Sequence, residues 1–209
     1  MACMRALSQT HRMLAVSEAC ERNKAPILAV LAGEFAASRA VLEIGSGTGQ
    51  HAVYFASHLP HLSWQPSEVR AQLPPLIERL QREAPPNVRA AIALDVHDDP
   101  WPARDLDAVF SANTLHIMGW SAVQEFFRGS GALLGAGGVL CVYGPVRYHG
   151  EYTSASNAQF DQWLKQRDPQ SGIRDFEALD ALACAQGLKL RADHAMPANN
   201  QTLVWHRPA

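Results

Sequence analysis

The chain has 209 residues, 47% of them hydrophobic and 18% charged, with a formal net charge of −2. It can bury one substantial core and is expected to form a single domain over residues 1–209. So balanced a charge offers no long-range attraction to phosphate backbones or anionic lipid, which disfavours nucleic acids and membrane surfaces as partners and leaves a small molecule.

The first twenty residues carry Arg5, Gln9, His11 and Arg12 among their apolar positions and so lack the apolar core of a signal peptide. The most apolar stretch, 131–146, is shorter than the roughly 20 residues that span a bilayer and is broken by glycines. The four cysteines, Cys3, Cys20, Cys141 and Cys184, are scattered without a CxxC pair, which argues against a zinc site and a disulfide framework. A cytoplasmic protein with reduced thiols is expected.

In chain order, Pro26 marks a place where a helix can begin, and Ile27, Leu28, Val30, Leu31 and Phe35 follow at near-helical spacing. Apolar runs at 40–44, 62–64, 88–94, 106–110 and 139–143 then alternate with helical patterns at 49–58, 68–83 and 121–134. This alternation predicts βαβ units around a parallel sheet, an α/β fold. The tail reads as a helix over 176–186 and two strands, 188–194 and 202–206, that would close the sheet with an antiparallel edge. Between the apolar run at 139–143 and that helix, 144–175 is a long polar insertion rich in Tyr, Ser, Asn, Arg and Gly, as binding loops often are.

The densest signal is Val41-Leu42-Glu43-Ile44-Gly45-Ser46-Gly47-Thr48-Gly49, a strand running through three glycines into a helix. Such glycines permit a tight turn and a close backbone approach to a ligand beside free helix-start N–H groups. A dinucleotide fingerprint needs G-x-G-x-x-G, but the third position here is Gln50. A glycine-rich turn holding no ligand also fits the pattern.

The E-x-G-x-G-x-G pattern resembles motif I of the class I S-adenosylmethionine (SAM)-dependent methyltransferases. That resemblance implies that Gly45, Gly47 and Gly49 wrap the methionine part of SAM while Glu43 helps to hold its ammonium group. It also implies an adenine contact at the third strand end, Asp95 with Val96, and a residue beside the sulfonium at the fourth, Asn113. The second strand normally ends in a carboxylate that binds the ribose. Here Gln65 falls at that place, with Ser67 and Glu68 just beyond, so Gln65 or Ser67 would take the contact.

A narrower similarity covers nearly the whole chain. Glu18-Ala19-Cys20-Glu21-Arg22-Asn23-Lys24, Trp64-Gln65-Pro66-Ser67, Tyr143-Gly144-Pro145 and Gly172-Ile173-Arg174-Asp175-Phe176-Glu177 resemble the DUF938 family, which includes the methyltransferase-like 26 proteins. Segments 153–157 and 196–200 add to it. The resemblance implies the class I methyltransferase (Rossmann-like) fold, a seven-stranded sheet of order 3-2-1-4-5-7-6 with strand 7 antiparallel and helices on both faces. It further implies SAM as cofactor, an undefined small-molecule acceptor, and a family trait in the glutamine of the second strand.

Methyl transfer mainly requires alignment of donor and acceptor and exclusion of water, with a base only where the acceptor carries a proton. His116, past the fourth strand, can serve as that base or simply pack. Tyr143, Tyr148, Asn157 and Asp161 are candidates for an acceptor wall, although Asp161 and Trp163 also suit a surface helix. Arg174 admits two readings, a bidentate clamp on an acceptor carboxylate or a structural bridge with Asp175. Arg22 or Asn23 would meet the SAM carboxylate from an N-terminal flap, unless Asn23 caps the helix at Pro26. The insertion, with the turn 196–200, is expected to cover the acceptor pocket.

His51 and His58 share a helix, but no third ligand is spaced to make a metal site with them. The remaining histidines read as surface or loop residues, and Phe126 and Phe127 as core. A nucleic-acid or protein methyltransferase is the enzymatic alternative, without the N-P-P-aromatic motif at Ser111-Ala112-Asn113-Thr114 or a basic stripe in its favour. A SAM-binding module without turnover is the other.

Overall fold

The computed structural model describes residues 14–209; Cys3, Arg5, Gln9, His11 and Arg12 lie outside the described residues. Helix α1 (Glu18–Glu34) begins eight residues earlier than Pro26 suggests, because Ser17 is its N-cap and accepts a hydrogen bond from the Cys20 N–H. Glu18 and Glu21 in the first turn favour the positive end of the helix dipole. Pro26 lies inside the helix, which continues because Asn23, Ile27, Leu31 and Phe35 recur every fourth residue and are buried. Asn23 therefore sits inside α1 and does not cap it.

Strand β1 (Ala40–Ile44) leads through the glycine turn into α2 (Gln50–His58), whose N-cap Gly49 is left-handed at φ 83°. Strand β2 (Ser63–Glu68) runs four residues past the expected end at Trp64, because it pairs with β1 through Ile44–Ser67. A single 3₁₀ turn (Arg70–Gln72) then precedes α3 (Leu73–Glu83), so the helix starts later than position 68. The expected long third strand shortens to β3 (Ile92–Ala93), with one isolated bridge from Val88 to Trp64. Strand β4 (Ala108–Ala112), helix α4 (Trp120–Leu133) and strand β5 (Val139–Gly144) follow close to their predicted places.

The insertion has structure of its own. Strands β6 (Val146–Tyr148), β7 (Glu151–Tyr152) and β8 (Arg174–Asp175) form a small sheet of order β7-β6-β8, and α5 (Ala155–Arg167) lies between β7 and β8. Ser154 caps α5 by accepting from the Asn157 N–H at 3.1 Å. Helix α6 (Phe176–Ala185) and strands β9 (Lys189–Met196) and β10 (Asn200–His206) complete the chain.

The main sheet has the order β3-β2-β1-β4-β5-β10-β9, and β10 is antiparallel to both neighbours. It is the expected 3-2-1-4-5-7-6 order of the class I methyltransferase fold, with the sixth and seventh strands being β9 and β10. Alternate strand residues feed two apolar layers. Val41, Ala108, Phe110, Cys141 and Val204 pack with α1 and α2, while Leu42, Val109, Leu140, Leu203 and Trp205 pack with α4 and α6. Phe126 and Phe127 are fully buried in the second layer. No helix among the described residues is long and apolar enough to cross a membrane.

Candidate active site

In a parallel sheet the crossover connections leave a crevice at the carboxyl ends of the strands, where the chain order reverses between β1 and β4. Here that crevice has a volume of about 710 Å³, within the roughly 300–1,000 Å³ common for ligand clefts. Gly45, Ser46, Gly47 and Thr48 form one end of it, Ala112, Asn113 and Thr114 its floor, and His116, Ile117, Asn157 and Phe160 the other end.

The glycine turn is held from below. Ser46 N–H bonds Ser67 O at 2.9 Å and Ser67 Oγ donates to Glu43 O at 2.7 Å, which zips the ends of β1 and β2. The buried Arg79 donates to Thr48 O at 2.8 Å, to the Glu83 carboxylate and to Ala15 O, so α3 clamps the turn. Gly45 and Gly47 are left-handed at φ 73° and 55°. A Cβ at Gly45 would stand 2.9 Å from Thr114 Cγ2, whereas one at Gly47 would meet nothing within 4 Å, because that backbone faces the open crevice. Gly49 points elsewhere: its Cβ would stand 2.8 Å from Leu76 Cδ1, so its smallness serves the packing of α3.

The acidic residues divide into two environments. Glu43 is almost fully buried with no cation beside it among the described residues, and its Oε2 accepts the Trp64 indole N–H at 2.9 Å. Burial, outweighing bonds from Trp64 and Ser46, raises its pKa to about 7. Glu68, the last residue of β2, lines the crevice, and its Oε2 accepts the Gly47 N–H at 2.9 Å. The carboxylate at the end of the second strand is thus Glu68. Gln65 is buried, and its Nε2 donates to the backbone oxygens of Pro66 and Ala90, so neither it nor Ser67 lines the crevice. The expectation placed the strand end too early, because the pairing of β1 with β2 that sets it is not written in β2 itself.

At the third strand, Asp95 is exposed and its Oδ1 accepts the His97 N–H, while Val96 is buried and its carbonyl accepts the Trp101 indole. Neither belongs to the crevice lining. Asn113 does, in a left-handed conformation at φ 58° that turns the chain out of β4. Arg22 is an exposed partner of Glu18, its side chain 71% accessible, and points to no buried ligand site.

Asn23 and Tyr143 lie on the α1 side of the sheet. Asn23 Oδ1 bonds His51 Nε2 at 2.8 Å, and the Asn23 amide also bonds the Tyr143 hydroxyl, whose pKa burial raises. His51, which sequence reasoning considered only as half of a metal pair, lines the crevice and stacks on Phe55 at 5.1 Å between ring centres. Its i,i+4 relation to Phe55 was the signal that it faces inward. His58, one further turn on, is exposed. Among the described residues no three His, Cys, Asp or Glu side chains stand close enough to hold a metal ion.

His116 lies at the far end, 7% exposed, with its ring edge-on to Phe160 at 5.3 Å. Burial, and then the charge of Arg174, lower its pKa to about 4, so it is a neutral imidazole at physiological pH. No ring nitrogen of His116 is bonded by a side chain or backbone group among the described residues. Arg174, by contrast, is spent on structure: its Nε donates to Leu115 O at 3.1 Å and its Nη2 to Met118 O and Gln170 O. It makes no bridge to Asp175, which pairs with Arg147 at 2.7 Å. The guanidinium staples the insertion to the loop after β4, and its geometry contradicts the acceptor clamp.

Tyr148 and Asp161 also face away from the crevice. Tyr148 donates to Asp193, and the buried Asp161 accepts from Tyr152, Lys165 and the Ile173 N–H. Trp163 is 47% exposed on α5. Asn157 does line the crevice, and its Nδ2 donates to Asn199 O at 2.9 Å, joining α5 to the turn between β9 and β10. In that turn Ala198 and Asn199 are both left-handed, at φ 57° and 56°.

The chain resembles solved structures over most of its length. An O-methyltransferase family protein from Burkholderia thailandensis matches with TM-score 0.79 at 17% identity, over 92% of this chain and 58% of that one. Human N-acetylserotonin methyltransferase in complex with SAM matches with TM-score 0.75 at 14% identity, over 92% and 53%. An O-methyltransferase family 2 protein from Planctomyces limnophilus, in complex with apigenin, matches with TM-score 0.71 at 16% identity, over 88% and 61%. The chain therefore shares the fold of SAM-dependent methyltransferases and spans a little over half the length of these proteins. Residues 14–207 match the family described as protein of unknown function, DUF938, and the chain belongs to the DUF938 family.

Proposed function

We propose that this chain is a SAM-dependent methyltransferase acting on a small molecule. The observation that carries the reading is the open crevice over Gly47, with the Glu68 carboxylate on its lining and Glu43 buried behind the turn with no cation beside it among the described residues. A buried carboxyl raised to about pH 7 suits a ligand that brings a positive charge. The donor set thus fits SAM, whose bound form supplies an electrophilic methyl group. Gly45, Gly47 and Glu43 would hold the methionine end, Glu68 the ribose hydroxyls in place of Gln65, the turn at Asp95 the adenine, and Asn113 the region of the sulfonium.

The far end is left for the acceptor. His116, a neutral imidazole whose ring nitrogens have no hydrogen-bond partner among the described residues, can receive the acceptor proton on a ring nitrogen. Phe160, Ile117, Asn157 and the turn at Ala198 would bound the acceptor at that end. A wide crevice continuing past Asn113 supports an enzyme over a module that only stores SAM.

Calorimetry with S-adenosylhomocysteine tests the reading. The full chain should bind it, and Gly47→Val should fold yet lose it, because the added side chain occupies crevice space. Binding of NAD in place of either SAM or S-adenosylhomocysteine would refute the proposal.

A further inference from the structure

Three buried side chains to which the proposed reaction gives no task are joined behind the α1 wall of the crevice. His51 stands in the first turn of α2, just past the glycines, and is 6% exposed. Its Nε2 bonds Asn23 Oδ1 at 2.8 Å, and the Asn23 amide N–H is given to the Tyr143 hydroxyl. An amide oxygen can only accept, so the imidazole proton is on Nε2 and Nδ1 carries a bare lone pair. Burial, opposed by Glu21 and then assisted by Lys24, lowers the pKa of His51 to about 4, so the ring stays neutral at physiological pH.

His51 Nδ1 has no partner among the described residues, yet it is not sealed off as the orphaned Nδ1 of His206 is. Its open side is the crevice, where Ser17, Ala19, Cys20 and His51 make the wall. A bare lone pair repels a carboxylate and accepts from an N–H group. Glu68 on the same lining has the same preference, and Lys24, whose charge reaches His51, is already paired with Glu21.

We infer that His51 is a ligand-binding residue whose Nδ1 accepts a hydrogen bond from the amino group of the molecule held at the glycine turn, with Asn23 and Tyr143 as positioning residues that fix its tautomer. The inference rests on the methyltransferase reading for the identity of that molecule, whose amino group is then the ammonium at the methionine end of SAM. It supplies a direct contact that the acid before the turn does not: Glu43 is outside the crevice lining, so it acts on a bound charge only from a distance. Asn23 thereby serves the ligand through His51 and meets no carboxylate itself.

Nitrogen NMR on the full chain with labelled histidine tests this, because protonated and bare ring nitrogens resonate far apart. Free His51 should show a protonated Nε2 and a bare Nδ1, and S-adenosylhomocysteine should move Nδ1 toward the protonated range. Asn23→Asp, which keeps an oxygen opposite Nε2, should preserve the tautomer at about pH 8, whereas Asn23→Leu should let the two tautomers mix. In calorimetry the parent should bind S-adenosylhomocysteine about 10–100-fold more tightly than its analogue lacking the amino group, the worth of one hydrogen bond from a charged donor. His51→Phe, which keeps a ring against Phe55, should lose about tenfold of that preference. A proton on Nδ1, an Nδ1 signal unmoved by bound S-adenosylhomocysteine, or an undiminished preference in folded His51→Phe overturns the inference. The first two are read on the unaltered protein, so they decide even where a variant fails to fold. If S-adenosylhomocysteine does not bind at all, the methyltransferase reading falls and the ammonium contact with it, while the tautomer of the free chain still decides the role of Asn23.

Discussion

Replacing Arg174 with alanine should damage the fold more than any ligand contact. Its guanidinium donates to Leu115 O and Met118 O from a partly buried position and to Gln170 O from a more exposed one. A hydrogen bond from a charged donor contributes about 1.5–3 kcal/mol net. Counting only the two partly buried bonds gives a loss of about 3–6 kcal/mol, which in a protein of this size lowers Tm by roughly 10 °C or more. Thermal and urea melts followed by circular dichroism measure this directly. Arg174→Lys should recover less than half of the loss, since one ammonium cannot span three carbonyls in a fixed fork. A variant melting within about 2 °C of the parent, with only an acidic acceptor bound less well, would refute the anchoring role and restore the carboxylate clamp.

Two further outcomes follow from the glycine turn and its acid. Glu43 keeps its proton up to about pH 7 in the folded chain, against an ordinary value of 4.5, so the folded state binds more protons than the unfolded one between those values. Stability therefore falls as pH rises through that window, by on the order of 3 kcal/mol in all. Glu43→Gln removes this loss, and its stability relative to the parent should climb from pH 4.5 to 7 in urea titrations; a flat difference would contradict the buried acid. The histidines lowered to about 4 act in the opposite sense below pH 6.5, but equally in both proteins, so they cancel. Separately, Gly49→Ala should cost about 2–4 kcal/mol, from left-handed strain plus collision with Leu76, and Gly47→Ala only about 1–2, from strain alone. Equal losses in denaturant melts would mean that both glycines face the same packing.

Outside the insertion, the strand and helix sequence and the glycine turn were legible in the chain because they rest on local spacing, and the sheet order was legible through the family resemblance. Apolar residues alternate or recur every fourth position wherever the two layers of the sheet need them, and Glu43 to Gly49 carries its turn in adjacent residues. Asn113 and His116 could be placed near the crevice for the same reason: they follow β4 directly, and the end of a strand in this fold faces the site. What local spacing does not contain is which way a side chain turns among its distant neighbours. Glu68 became the carboxylate of the second strand only through the pairing of β2 with β1 as far as Ser67 and with β3 at Ala93. Gln65 went to a backbone oxygen at Ala90, and Arg174 to carbonyls more than fifty residues earlier. His51, Asn23 and Tyr143 met because α1, α2 and β5 pack together. Tertiary structure decided these matters because a buried polar group must take whichever partner packing brings within hydrogen-bond reach, and the chain brings those partners from remote positions.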